Sequence, residues 1–285
     1  MGNPMRVVDS HVHFWDPAVL HYPWLEVVPA LRRSFLPGDL ESVTESKVDA
    51  VIFVEANCLA SESLKEVEFV ERLASAEARI MGIVAYADML DDAGRMNALE
   101  ALARHGSVVG VRHNIQGHPR GYCLAPTFVG GVQEAGQRGF TFDLCITADQ
   151  LPDATQLALL CPDTRFILDH CGKPAIRADA LDVWASDLED LARCANVVCK
   201  VSGLLTEARA DQQNLEALRP YLKHAHLSFG VERLLFGSDW PVVTLAGSTA
   251  SWRGVVDAFT ASWDDDDRYA FFAGNATRTY GLGDR

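Results

Sequence analysis

Two histidines separated by one residue, His11 and His13, close an apolar run over residues 7–14. In a β-strand alternate side chains share a face, so both imidazoles project together, with Asp9 on the same side below them. Paired imidazoles suit a divalent ion, or a carbonyl oxygen that has to be polarised. The spacing alone is a weak signal, because two ordinary histidines near a strand end read the same way. Its weight depends on what other segments bring to the same place. His170 follows Asp169 at the end of a later apolar run, and Asp239 closes the last run. Arg112, His113, Lys173, Glu55 and Asn57 also stand at the ends of such runs, and the seventh run carries Lys200.

The elements that must position these residues can be read from periodicity. Eight short apolar runs cover residues 7–14, 50–57, 80–88, 108–115, 141–146, 165–173, 196–204 and 233–239. Several are β-branched and nearly continuous, as in strands buried on both faces. Amphipathic stretches such as 61–77, 92–104 and 180–194 lie between them. This alternation predicts an α/β fold of the (β/α)8 TIM-barrel type, one domain over residues 1–285. An open doubly wound sheet is the runner-up. Against it, no strand is followed by a Gly-x-Gly-x-x-Gly or P-loop signature. Barrel active sites sit at the C-terminal strand ends, and the first and last strands are neighbours. Asp239 is therefore expected beside His11 and His13.

The 285 residues are 48% hydrophobic and 22% charged, enough for one large core or two small ones. A net charge of −14 argues against nucleic-acid and anionic-membrane partners. No apolar run reaches membrane length and no secretory signal precedes the first strand; residues 1–5 read as a short tail. The seven cysteines are odd in number, lack a Cys-x-x-Cys and sit in apolar contexts. They read as buried thiols in a reducing cytoplasm.

One segment departs from the regular alternation. Residues 15–37 carry Trp15, Tyr22, Trp24 and four prolines, and leave the face that bears the histidines. Such a loop reads as a partial lid, or as a surface loop that packs its own aromatics. A second long loop covers 116–126, and the acidic run 264–267 reads as a solvated turn before the last helix.

The whole constellation resembles the amidohydrolase superfamily. The motifs are Asp-Ser-His-Val-His-Phe-Trp-Asp-Pro (9–17), Gly-Val-Arg-His (110–113), Leu-Asp-His-Cys-Gly-Lys-Pro (168–174), Cys-Lys-Val-Ser-Gly-Leu (199–204), Phe-Gly-Ser-Asp-Trp-Pro-Val (236–242) and Gly-Asn-Ala-Thr-Arg (274–278). They are similar to the lactonase branch, which opens sugar lactones and 2-pyrone-4,6-dicarboxylate. The resemblance implies functional positions at His11, His13, His170 and Asp239, and mouth positions at Arg112, His113, Lys173 and Lys200. Binuclear members carry a bridging Lys or Glu on the fourth strand and a His on the fifth. Here the fourth offers Arg112-His113 and the fifth Asp143 or Cys145, which argues against two metals. One divalent ion, zinc first, is expected on His11, His13 and Asp239, with His170 or water completing the shell; metal-independent action is the other option.

The expected reaction is hydrolysis of a lactone, with a sugar (aldono-) lactone as the small-molecule partner. It needs an activated water, a polarised carbonyl and a proton for the leaving alkoxide. Asp239 is assigned as base and then acid, and His170 as the group that polarises the carbonyl. Tyr22 and Trp24 are expected to stack on the sugar ring. Arg112, His113, Lys173 and Lys200 are expected to hold its polar groups, although Lys200 could equally be ion-paired inside the barrel mouth. A metal-dependent decarboxylase and a non-catalytic binding barrel are the alternatives, and an oligomer is compatible with all of them.

Overall fold

The computed structural model describes residues 5–43 and 48–283; residues 1–4 of the tail lie outside the described residues. Eight strands follow in order: β1 (Val8–Val12), β2 (Ala50–Val54), β3 (Ile80–Tyr86), β4 (Val108–Arg112), β5 (Thr141–Leu144), β6 (Phe166–Leu168), β7 (Val197–Val201) and β8 (Leu234–Phe236). Each pairs in parallel with the next. Two backbone hydrogen bonds join the ends: His13 N–H to the Trp240 carbonyl (2.8 Å) and Asp239 N–H to the His11 carbonyl (2.9 Å). The sheet therefore curls back on its first strand, which rules out the open doubly wound alternative.

The helices are α1 (Pro37–Val43), α2 (Ser63–Ala76), α3 (Arg95–Ala103), α4 (Pro126–Gln137), α5 (Leu151–Leu160), α6 (Asp182–Ala192), α7 (Leu204–Glu207), α8 (Leu215–Phe229), α9 (Thr249–Phe259), α10 (Asp265–Tyr269) and α11 (Asn275–Thr279). Strand alternation separates two apolar layers. Val51, Phe53, Phe142, Leu144, Phe166 and Phe236 join the cluster shared with the helices. Ile52, Val54, Val84, Ile167 and Leu235 form a second cluster with Ala276, Tyr280 and Leu282, so the chain's last segment closes the barrel floor. In the acidic run, Asp264 accepts the Asp267 N–H (2.8 Å) and caps α10.

Strands six and eight stop earlier than the apolar runs suggest. His170 (φ 55°) and Asp239 (φ 60°) both adopt left-handed backbone, which ends the extended chain. All seven cysteines are free; six are buried and Cys58 is partly exposed. No helix among the described residues is long and apolar enough to cross a membrane.

Candidate active site

The two histidines of the first strand come together as the alternation predicts. His13 donates from Nδ1 to the Val54 carbonyl (2.8 Å), which leaves Nε2 as the ring's other nitrogen toward the site. That atom lies 3.2 Å from His11 Nε2 and 3.4 Å from Asp239 Oδ1. His11 Nε2 is 3.7 Å from the same carboxylate oxygen. Asp9 does not sit below them. A bulge between Asp9 and Val12 breaks the two-residue period. Asp9 instead accepts the Ser238 N–H (2.8 Å) and lines a small cleft with Thr249 and Arg253 of α9. Burial raises its pKa to about 6.

His170 is placed by the turn after β6, where residues 170–173 all have positive φ. The Ser202 hydroxyl holds its Nδ1 at 2.9 Å. The ring lies against Gly203, where a Cβ would fall 2.5 Å from Nδ1, so this position has no room for a larger residue. Gly237 does the same for His11, since a Cβ there would approach the His11 Cβ to 3.0 Å.

Single ligand atoms of His11, His170 and Asp239 all lie within 4.8 Å of one another, and His13 adjoins them. Burial holds the His170 imidazole down at about 4, so it is neutral at pH 7. Burial likewise keeps His11 neutral. Burial alone would raise Asp239, but His170 and His13 outweigh it and hold the carboxyl well below the usual carboxylate range. Neutral imidazoles beside an ionised carboxylate are the donor states a divalent ion requires. The residues therefore fit one such ion.

A second polar layer lies behind the first. Lys200 is fully buried, with Nζ 2.5 Å from Asp143 Oδ2, 3.1 Å from Asp169 Oδ1 and 3.2 Å from His11 Nδ1. Burial alone would favour the neutral amine; the two carboxylates outweigh it and keep Lys200 protonated. Arg112 donates from Nε to Glu55 Oε1 (2.6 Å), from Nη2 to the Glu55 carbonyl (2.7 Å) and from Nη1 to Asp169 Oδ2 (3.2 Å). Asp169 Oδ1 is also 3.2 Å from His11 Nδ1, so this layer orients a histidine of the first.

Above the first layer opens a cavity of about 240 Å³, lined by His13, Trp15, Trp24, Ala56, Asn57, Arg112, Asn114, Gln116, Cys145, His170, Lys173, Asp239 and Val242. His13, His170, Asp239, Trp24, Arg112 and Lys173 are thus brought together. Tyr22, His113 and Lys200 do not line it. The Tyr22 ring packs against Trp15, and its hydroxyl lies beside Glu66. His113 accepts the Met89 N–H at Nδ1 (3.0 Å) and meets the Tyr122 hydroxyl at Nε2 (2.9 Å), next to Phe128. Lys200 takes up the ion-paired interior position. Asn57 lines it from the end of the second apolar run, where the sequence places it. Trp15, Asn114, Gln116 and Cys145 line it without an assigned role; Asn114 stands at the end of the fourth apolar run, a signal that could have found it. The loop 15–37 is folded onto the barrel: Trp15 pairs with Phe35 through two backbone hydrogen bonds (2.8 and 3.0 Å), and Trp24 Nε1 donates to the Ala56 carbonyl (2.7 Å).

The histidine pair of β1, the histidine after β6 and the aspartate after β8 meet at one end of a (β/α)8 barrel, in a site whose residues fit a single divalent ion. The chain belongs to the amidohydrolase family, whose model matches residues 8–282. It is 33% identical to an L-fucono-1,5-lactonase of Burkholderia multivorans, with 96% of each chain covered. It is 28% identical to an L-fucono-1,5-lactonase of Burkholderia ambifaria, covering 96% of this chain and 94% of that one. The crystal structure of a Burkholderia multivorans amidohydrolase with bound zinc superposes with a TM-score of 0.86 at 32% identity, covering 97% of this chain and 99% of that one.

Proposed function

We propose that this protein opens the ring of a sugar (aldono-) lactone by attack of water, assisted by Asp239, on the lactone carbonyl. The observation that carries this reading is the Asp239 carboxylate, 3.4 Å from His13 Nε2 at the base of a cavity walled by indoles and amides. The names of the relatives favour the same substrate class.

Asp239 takes the proton of the attacking water and returns it to the ring oxygen as that oxygen leaves. His170, fixed through Nδ1 by Ser202, has Nε2 for one task at a time: as a donor it polarises the carbonyl when no ion is bound, and as a lone-pair ligand it leaves that polarisation to the ion. His11 and His13 bracket the carboxylate, which His170 and His13 keep ionised. His11, His170 and Asp239, with His13 beside them, would hold one divalent ion, and zinc bound there supplies Lewis acidity to the carbonyl and the water. Trp15 and Trp24 cover one side of the ring and exclude water.

A dicarboxylate substrate fits poorly. The Arg112 guanidinium is already matched by Glu55 and Asp169, so Lys173 is the one lining cation without a carboxylate partner among the described residues. The test is a panel of aldono-1,5- and 1,4-lactones beside 2-pyrone-4,6-dicarboxylate, with elemental analysis of the same preparation. Turnover of aldono-lactones is expected, with at most one tightly held ion per chain. Turnover of the dicarboxylate alone, or two ions both needed for activity, would overturn the reading.

A further inference from the structure

Among the described residues, six other than glycine have positive φ: Asn57, His170, Cys171, Lys173, Asp179 and Asp239. Left-handed backbone is unfavourable for side-chain-bearing residues and gathers at functional sites. Four of the six line the cavity, and two of those, His170 and Asp239, are already assigned to the reaction. Asn57 and Lys173 share the geometry without a role. Asn57 is held there from below, since its N–H donates to Glu55 Oε2 (2.7 Å), and Glu55 is locked by Arg112. Among the described residues nothing hydrogen-bonds to its side-chain amide, which faces the cavity.

Two more amides stand on the same rim. Asn114 accepts the Gln116 N–H through Oδ1 (3.0 Å), which leaves its NH2 group without a partner among the described residues. Gln116 accepts the Lys173 ammonium through Oε1, which fixes the amide's orientation and turns its NH2 group outward. The rim thus presents neutral donors, plus one carbonyl from Asn57, in the cavity that the two indoles also line. Hydroxyl groups on a saturated ring both accept and donate, and this set matches them. Carboxylates would call for charged, forked donors instead.

We propose that Asn57, Asn114 and Gln116, the last steered by Lys173, read the ring hydroxyls of the substrate and determine which sugar lactone is accepted. This rests on the lactonase reading of the site and adds specificity-determining residues to it.

The experiment compares kcat/KM of the wild type with Asn57→Ala, Asn114→Ala and Gln116→Ala on an aldono-1,5-lactone and on unsubstituted δ-valerolactone. Each variant should lose about 10-fold on the hydroxylated lactone, the scale of one neutral hydrogen bond. On δ-valerolactone it should stay within about 2-fold of the wild type, since no hydroxyl is present to lose. Equal losses on both substrates mean a merely structural role and overturn the proposal, as does no loss on either. Calorimetric binding of the aldonate product to the same four proteins keeps the two readings apart. If the wild type opens no lactone yet binds the aldonate and the variants bind it more weakly, the lactonase reading fails and the rim stands. If binding is absent or indifferent to all three substitutions, the rim falls.

Discussion

Two polar layers meet at His11. Its Nε2 faces Asp239 and His13, and its Nδ1 faces Asp169 and Lys200. In the upper layer, neutral imidazoles and an ionised carboxylate converge with no cation of their own, so their capacity to bind stays directed at the cavity. In the lower layer Lys200 and Arg112 face Asp143, Asp169 and Glu55 at 2.5–3.2 Å, so positive and negative groups answer one another. The same residue types serve binding in one layer and support in the other. What separates them is whether each charge already has its opposite in place.

The sharpest way to break that contrast is to remove the cation of the lower layer. Lys200→Met leaves Asp143 and Asp169 buried beside each other without their shared partner. Stability should fall by about 3–5 kcal/mol, the cost of breaking a buried pair from one side. Denaturant unfolding measures it. The double variant with Asp143→Asn should recover part of the loss. A Lys200→Met protein as stable as the wild type would mean that the layer is not self-compensating.

Asp239→Asn probes the upper layer, where the opposite result is expected. The carboxylate contributes to chemistry there, so turnover of the lactone should drop by at least ~100-fold. Folding should be retained, since Asn keeps the side chain's shape and the backbone N–H bond to the His11 carbonyl is untouched. Turnover near the wild-type value would remove Asp239 from the reaction.

The two layers also differed in how far the sequence revealed them. His11, His13, His170 and Asp239 each close an apolar run, and barrel geometry sends run ends to one face, so their meeting followed from order along the chain. Lys200 sits inside a run. Its partners Asp143 and Asp169 come from other strands, and pairing across a barrel interior leaves no local trace. Tyr22 and His113 fail for a related reason. A side chain's direction in a long loop, or one residue past a strand end, depends on packing that the sequence does not spell out. The Asp9 placement was lost to a bulge, which shifts the alternation by one residue without an obvious sequence mark.

Trp24 belongs to both worlds, since it lines the cavity and ties loop 15–37 to Ala56 through its indole N–H. Trp24→Ala should lower kcat/KM on the lactone by roughly 10-fold, about 1.4 kcal/mol. The melting temperature should fall only modestly, because Trp15, Leu25 and Phe35 remain buried beneath it. A large drop in melting temperature with normal kinetics would assign Trp24 to the support side alone.

The smallest effect concerns the carboxyl that braces Ala56 from behind. Glu66 is buried and accepts the Ala56 N–H through Oε1 (3.2 Å). Burial, reinforced by Glu55, raises its pKa from 4.5 to about 8. At neutral pH the folded protein therefore holds a proton that the unfolded chain has released. The stability tied to that proton is fully present below the ordinary glutamate value and is lost as pH rises toward about 8. Glu66→Gln copies the protonated carboxyl, with an oxygen for the Ala56 N–H, and cannot ionise. Asp9 and Asp143 are raised by burial as well, but they titrate alike in both proteins and cancel in the comparison. The variant's melting temperature should therefore gain on the wild type's as pH rises from about 5 to about 8, by about 2 °C or more, the scale of 1 kcal/mol in a chain of this size. A gap that stays constant across the window would show that Glu66 is already ionised in the fold, and would move it from a neutral brace into the charge-balanced layer with Glu55 and Arg112.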